Sequence, residues 1–414
     1  MDIKLYKLED SAEKLSLLRI VRKFGKITRG QIVDLTGYSS GKISLLIKEL
    51  DELGLVEESG ENESTGGRKP KFLQLKGEKG YFIGVELGGY EIKISLIDFS
   101  GKRIASDKIL GDPGVDDPYA VIDILVGFIK KFIDTNNVYE DGLKGLGLAL
   151  SGVIDDETGG CKYFKNRKSW EGIPLKSIIE STFSLPCVID DSSRMAAVAE
   201  REYGNCRDID NFVVISIGVG LSAGIFIDGR LFRGSSGFGG EIGHMVIKEN
   251  GPRCVCGNYG CLESLVSGYA IEGEMRDALK NNVISNLSII ETATAKDIVE
   301  QAEIGDKLAY SIINNAAKHL GVGIASVINI FNPQIVILAG GISKAGEMLL
   351  EPIKHVVKST TLEFAARNCK IAISGLDEYA PSLGIANISI DRLLNDREAA
   401  AVILKQDKWY GMSR

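Results

Sequence analysis

The run Tyr81-Phe-Ile-Gly-Val-Glu-Leu-Gly-Gly-Tyr-Glu-Ile-Lys-Ile-Ser-Leu-Ile-Asp98 decides how the larger part of this chain folds. Tyr81 to Glu86 and Ile92 to Asp98 are short, rich in β-branched and aromatic side chains, and separated by Leu87-Gly-Gly-Tyr90. That spacing predicts two antiparallel strands joined by a glycine turn. The motif returns between Phe212 and Phe232, around Gly218-Val-Gly220. Working outward, Tyr119 to Thr135 has amphipathic helical spacing, and Leu143 to Leu150 reads as a buried strand ending in Ser151-Gly152. Ile312 to Ile330 is a long apolar helix, and Gln334 to Leu338 is a strand running into Ala339-Gly-Gly341. Alternating strands and helices predict an α/β fold. Two strand pairs, each opening with a glycine turn, predict two similar lobes with a cleft between them.

Upstream the pattern changes. Ser11 to Phe24 has helical spacing, with Leu17, Leu18, Val21 and Phe24 on one face. Thr28 can cap a short helix carrying Ile32, Val33 and Leu35, which Thr36-Gly37-Tyr38 breaks. Ser39 then caps a third helix with Ile43, Leu46, Ile47, Leu50 and Leu53 on its stripe. Leu55-Val56 and Phe72 to Leu75 read as two strands around the polar stretch Glu58 to Gly67. The order is that of a winged helix-turn-helix, whose third helix enters the major groove of double-stranded DNA. Ser39, Ser40, Lys42 and Ser44 lie in the first turns of that helix. Ser39 and Ser44 suit phosphates, Ser40 and Lys42 base edges. Arg68 and Lys69, in Gly66-Gly-Arg-Lys-Pro70, sit at the wing tip, where a short basic arm suits an A·T-rich minor groove. A solvated turn touching only phosphates is the plainer reading of that arm, and a helical hairpin without nucleic acid the plainer reading of the head.

A second run carries its chemistry openly: Gly243-His-Met-Val-Ile-Lys-Glu-Asn-Gly-Pro-Arg-Cys-Val-Cys-Gly-Asn-Tyr-Gly-Cys-Leu-Glu263. The chain has seven Cys and three His, and His244, Cys254, Cys256 and Cys261 fall within eighteen residues. Three thiolates and one imidazole make a complete tetrahedral shell for Zn²⁺. Four protein ligands leave no open position, so the expected zinc, one per chain, is structural. Three buried thiols and a core histidine would be the plain alternative.

Composition sets the frame. A chain of 414 residues with 44% hydrophobic residues can fill more than one core. Residues 1–75 hold 13 Lys and Arg against 12 Asp and Glu, and the remainder 36 against 44, so a neutral-to-basic head precedes an acidic body. The start has no apolar signal core. The longest uncharged apolar run, Phe212 to Ile227, carries three Gly and two Ser and is too short for a membrane span. A cytoplasmic location with reduced thiols is expected. The expected division is a winged helix-turn-helix over 1–75, a first α/β lobe over 76–190, and a second lobe over 191–381 with the cysteine cluster. A C-terminal helix at about 382–414 completes the first lobe.

These residues resemble the ROK family (repressors, open reading frames and sugar kinases), and within it the xylose-repressor-like regulators with an N-terminal winged helix. Its most specific part is Glu241-Ile-Gly-His244 with Cys254-Val-Cys-Gly-Asn-Tyr-Gly-Cys-Leu-Glu263. Weaker matches are Gly84 to Tyr90, Leu146 to Gly152 and Gly218 to Gly224. The resemblance implies the actin/hexokinase-like two-lobed fold and a sugar in the cleft. It places Asn166, Asp191, Glu241, His244 and Glu263 at the sugar, and matches Asn166 and Trp170, in Phe164 to Gly172, to a loop over it. Carboxylates suit hydroxyls as charge-assisted acceptors. For Glu241 and Glu263 the alternative is support of the zinc ligands. Kinases of the family carry Asp-x-Gly-Gly-Thr, Gly-Thr-Gly and Asn-Asp with a Glu eight residues after the Asp. Here those places read Glu86-Leu-Gly-Gly-Tyr90, Gly218-Val-Gly220 and, anchored on Glu200, Asp191-Ser192. A serine is a poor base near neutral pH, although a one-residue slip would make Asp191 the base. The resemblance therefore implies a sugar-responsive transcriptional regulator without phosphotransfer, a homodimer or dimer of dimers on operator DNA. The rivals are an active sugar kinase with a DNA-binding head and a non-catalytic protein-binding sensor.

Overall fold

The computed structural model describes residues 2–61, 71–111, 117–138, 142–154, 161–164, 168–289 and 292–395. The head runs α1 (Asp2–Phe24), β1 (Ile27–Thr28), α2 (Arg29–Thr36), α3 (Ser40–Glu52), β2 (Val56–Glu61) and β3 (Lys71–Leu75). Its local signals are explicit. Thr28 and Gln31 form a capping box at α2, Gly37 ends that helix at φ 69°, and the Ser39 hydroxyl accepts from the Lys42 N–H at the start of α3. β3 pairs antiparallel with both β1 and β2, giving the wing sheet. Helix α1 begins at Asp2, earlier than the apolar stripe from Ser11 suggests. Residues 2–24 contain no Gly or Pro, so the backbone helix outruns its amphipathic stretch.

The first lobe has β4 (Tyr81–Leu87), β5 (Glu91–Asp98), β6 (Arg103–Leu110), α4 (Pro118–Thr135), β7 (Leu143–Leu150), the small pair β8 (Gly152–Ile154) and β9 (Cys161–Phe164), α5 (Leu175–Phe183) and β10 (Cys187–Asp191). The second has α6 (Ser192–Glu202), β11 (Phe212–Ile217), β12 (Leu221–Ile227), β13 (Arg230–Leu231), α7 (Glu263–Val266), α8 (Gly268–Lys280), α9 (Ala295–Glu303), α10 (Lys307–Phe331), β14 (Ile335–Ala339), α11 (Glu347–Thr360), α12 (Glu363–Asn368) and β15 (Lys370–Ile373). The two five-stranded sheets repeat one topology. The first is ordered β6-β5-β4-β7-β10 and the second β13-β12-β11-β14-β15. In each, the hairpin strands are antiparallel and the last two strands join in parallel.

α13 (Ala380–Asn395) returns to lie on the first sheet. Two glycines make that approach possible: a Cβ on Gly84 would stand 1.9 Å from the Ser382 carbonyl oxygen, and one on Gly147 2.8 Å from that of Ile385. The head is not hung on a loose tether. Leu18, Val21, Ile32, Ile43 and Leu50 share one continuous core with Phe82, Ile97 and Phe99 of the first lobe and Leu383, Ile390 and Leu394 of α13. Polar contacts seal the joint. The Arg22 guanidinium donates to Asp391 Oδ1 at 2.7 Å and to Asn387 Oδ1 at 3.0 Å, and Arg19 donates to Asn395 at 2.8 Å. α13 begins at Ala380, and residues 396–414 of the stretch expected to form the C-terminal helix lie outside the described residues.

Candidate functional site

His244 ends the short turn Ile242–His244, and the three cysteines follow in a loop closed by the bridges Val246–Cys261 and Arg253–Tyr259. Gly260 has φ 72°, and a Cβ there would stand 1.7 Å from the Lys248 carbonyl oxygen, so only glycine fits this bend. The loop brings His244, Cys254, Cys256 and Cys261 together, with one donor atom of each within 4.8 Å of the others. Cys256 Sγ lies 3.7 Å from Cys261 Sγ, and Cys254 Sγ lies 3.7 Å from His244 Nδ1. Metal–sulfur bonds of about 2.3 Å and metal–nitrogen bonds of about 2.0 Å in a tetrahedron require donor separations of about 3.5–3.8 Å. The donor set, and these two separations, suit a tetrahedral metal ion.

The other imidazole nitrogen faces away from the sulfurs: His244 Nε2 is 3.7 Å from Glu241 Oε2. Glu263 opens α7 two residues after Cys261. It is buried, and its Oε2 accepts from the Leu221 backbone N–H at 2.9 Å. That bond ties the cysteine loop to the second glycine turn. Asp191 caps α6, its Oδ1 accepting from the N–H groups of Ser193 (2.9 Å) and Arg194 (3.0 Å) and from the Ser193 hydroxyl. Burial raises its carboxyl pKa, against the pull of Arg194. Ser192 Oγ, next to it, is buried with no hydrogen-bond partner among the described residues. Asn166 lies outside the described residues. Trp170 is fully buried in the first lobe's core.

One cluster escaped the sequence reading. Asp190 Oδ1 accepts from Arg194 Nε at 2.7 Å, Asp190 Oδ2 lies 2.5 Å from Arg233, and Arg194 also donates to the Gly237 carbonyl at 2.7 Å. This buried network fastens the loop leading to Glu241 onto the end of β10. The Asp190–Arg194 spacing of four was visible in the sequence, but their distant partners were not.

The two glycine turns meet across the cleft. A Cβ on Gly89 would stand 3.0 Å from Val219 Cγ2. Tyr90, half-exposed beside them, has its phenol pKa raised by burial and by the charge of Glu272 on α8. Glu86, at the place of the kinases' aspartate, lies 3.5 Å from Lys93, which also reaches Glu91 at 3.3 Å. Burial holds the Glu86 carboxyl above its ordinary range.

On the head, Ser39 and Ser40 are exposed and Ser44 is half-buried. Lys42 turns toward α1: its ammonium is 2.5 Å from Glu13 Oε1 and 4.3 Å from the centre of the Tyr38 ring. Arg68 and Lys69 lie outside the described residues. No helix among the described residues is long and apolar enough to cross a membrane.

The sequence model of the ROK family matches residues 82–392. A xylose repressor of Caldicellulosiruptor bescii is 32% identical over 390 residues, covering 94% of this chain and 97% of that protein. Among solved structures, a ROK family transcriptional regulator, a homolog of the E. coli MLC protein, superposes with a TM-score of 0.80 at 28% identity, covering 96% of this chain and 99% of that one. A ROK family glucokinase from Streptomyces griseus, solved with glucose and AMPPNP, gives a TM-score of 0.67 at 26% identity. That match covers all of the glucokinase but 75% of this chain.

Proposed function

The chain belongs to the ROK family, and we propose that it is a sugar-responsive, DNA-binding transcriptional regulator, not a sugar kinase. A sugar bound between the lobes shifts the head that reads DNA. The observation that carries this reading is the joint between head and lobes. A winged helix shares one hydrophobic core with the first lobe of a sugar-kinase-like fold, so a change in the lobes reaches the head without a slack linker. The cleft supports the second half of the reading. Val219 packs against Gly89, Tyr90 replaces the hydroxyl of the first phosphate turn, and Asp191 Oδ1 is engaged in capping α6.

Asp191, Glu241, His244 and Glu263, with Asn166, form the proposed sugar contacts. His244, Cys254, Cys256 and Cys261 would hold one zinc ion, which when bound supplies a structural cross-link. With His244 Nδ1 on the metal side, its Nε2 is left toward Glu241, so metal and sugar sites are mechanically joined. Ser39, Ser40, Lys42 and Ser44, with Arg68 and Lys69, are the proposed DNA contacts. Lys42 must leave Glu13 to reach a base. A homodimer, or a dimer of dimers, would place two heads on two half-sites.

The test uses the full-length protein and a duplex that it selects from a random-sequence library. DNA affinity is measured with pentoses and hexoses, D-xylose first because a relative is named for it, each also as its phosphate. One sugar should change affinity at least about tenfold, the scale of a coupling near 1.4 kcal/mol, with no ADP formed from ATP. Sugar-dependent ADP release would establish the kinase instead, and failure to recover any duplex would remove the DNA-reading role.

A further inference from the structure

Helix α3 buries Ile43, Leu46, Ile47 and Leu50 against the head's core. The opposite face carries Gly41, Leu45 and Lys48, which at i, i+4 and i+7 form one stripe. Leu45 is 57% exposed. An exposed leucine alone is unremarkable on a soluble protein. This one sits on the outward face of the helix that the winged-helix geometry presents to the major groove, between exposed Gly41 and Lys48. Gly41 supplies a second, independent observation. Its backbone is helical, and a Cβ there would meet nothing within 4 Å. Neither strain nor packing inside the protein asks for glycine, and alanine is the better helix former. A missing side chain that the fold does not need leaves room for something outside it. Lys42, directed at Glu13 and Tyr38, lies off this stripe, so Gly41 and Leu45 present a short apolar notch whether or not Lys42 leaves Glu13 for DNA.

In the major groove, thymine alone among the four bases offers a methyl group, and apolar side chains recognise it. We propose that Gly41 and Leu45 form a thymine-reading notch: Leu45 packs on the C5-methyl of one thymine per half-site, and bare Gly41 lets the base edge come close to the helix. This rests on the DNA-binding reading above and names what the helix reads there.

The experiment uses the full-length protein and the duplex that it selects from a random-sequence library. Each thymine of the site is replaced singly by deoxyuridine, which removes only the methyl. One replacement in each half-site should weaken binding about three- to tenfold, the scale of one buried methyl. Leu45→Ala should bind the thymine duplex more weakly by a similar factor and no longer distinguish thymine from uracil at that position. Gly41→Ala should weaken binding about tenfold or more while its melting temperature stays equal to or above that of the parent. That pair of signs separates a lost contact from a damaged fold. The notch is wrong if no thymine is sensitive, if Leu45→Ala keeps the discrimination, or if Gly41→Ala binds like the parent. Recovery of no duplex at all would overturn the DNA-binding reading and the notch with it. Recovery of a duplex indifferent to methyl removal would overturn the notch alone.

Discussion

At the scale of single residues, His244 divides its ring between two tasks, with Nδ1 among the cysteine sulfurs and Nε2 toward Glu241. Its metal side makes a direct prediction. Protein purified without chelator should carry about one zinc per chain, and Cys256→Ser, at an exposed ligand, should lose it and lower the melting temperature. Elemental analysis finding full metal in that variant would remove Cys256 from the ligand set. Glu263 is the second test. Its carboxylate holds the Leu221 N–H, so Glu263→Gln keeps an acceptor oxygen but loses the charge. Sugar binding should weaken by ~1–3 kcal/mol, with sugar-free DNA binding near normal. Unchanged affinity by calorimetry would assign Glu263 to the support of the cysteine loop alone. The donor cluster could be read from sequence because its ligands are close in the chain and chemically distinctive. The Asp190–Arg194–Arg233 network could not, because Arg233 approaches Asp190 only through the fold.

Among the elements, α6 spans from the cleft to the head. Asp191 caps its first turn, and Tyr203 follows its last. The Tyr203 hydroxyl donates to the Gly101 carbonyl at 2.5 Å and accepts from Asn387 Nδ2 at 2.5 Å. Asn387 Oδ1 in turn accepts from Arg22 of α1. Tyr203→Phe removes one hydroxyl from this chain of contacts. Both partners should still bind near normally, while the factor by which sugar changes DNA affinity falls about fivefold or more. An unchanged factor would mean that coupling bypasses this helix. Element positions were legible wherever an amphipathic stripe coincided with a helix, as in α3. They were missed where it did not: α1 starts well before its stripe, and Trp170, read as part of a loop over the ligand, packs in the core instead.

For the whole molecule, lost phosphotransfer is a property of several places at once. Replacing Tyr90 and Val219 together by Thr restores the hydroxyls of both turns but leaves Asp191 capping α6. That double variant should form no sugar phosphate from ATP in a coupled assay. Turnover would mean that Asp191 leaves its cap and serves as base. The shared core makes the other whole-molecule prediction. A chain beginning after residue 75 would expose Phe82, Phe99 and Ile390, all fully buried in the intact protein. It should melt lower and aggregate, whereas a tethered head would be removable without such loss. The duplicated α/β lobes followed from two strand–glycine–strand runs. Their joint with the head did not, because it is built from residues far apart in the chain, as with Arg22 and Asp391, 369 positions apart.

That joint also sets what can be exchanged. A biosensor engineer who wishes to give these lobes a new promoter address cannot cut at the end of the wing and graft another head. The surface a new head must match is discontinuous: α1 rests on Leu383, Ile390 and Leu394 of α13, and α13 itself lies on the first sheet and stays with the lobes. Chimeras whose new head keeps the α1 residues that meet α13 should retain a folded, effector-sensitive reader, and those that bring an unrelated first helix should set a mismatched head on that floor in the wrong pose.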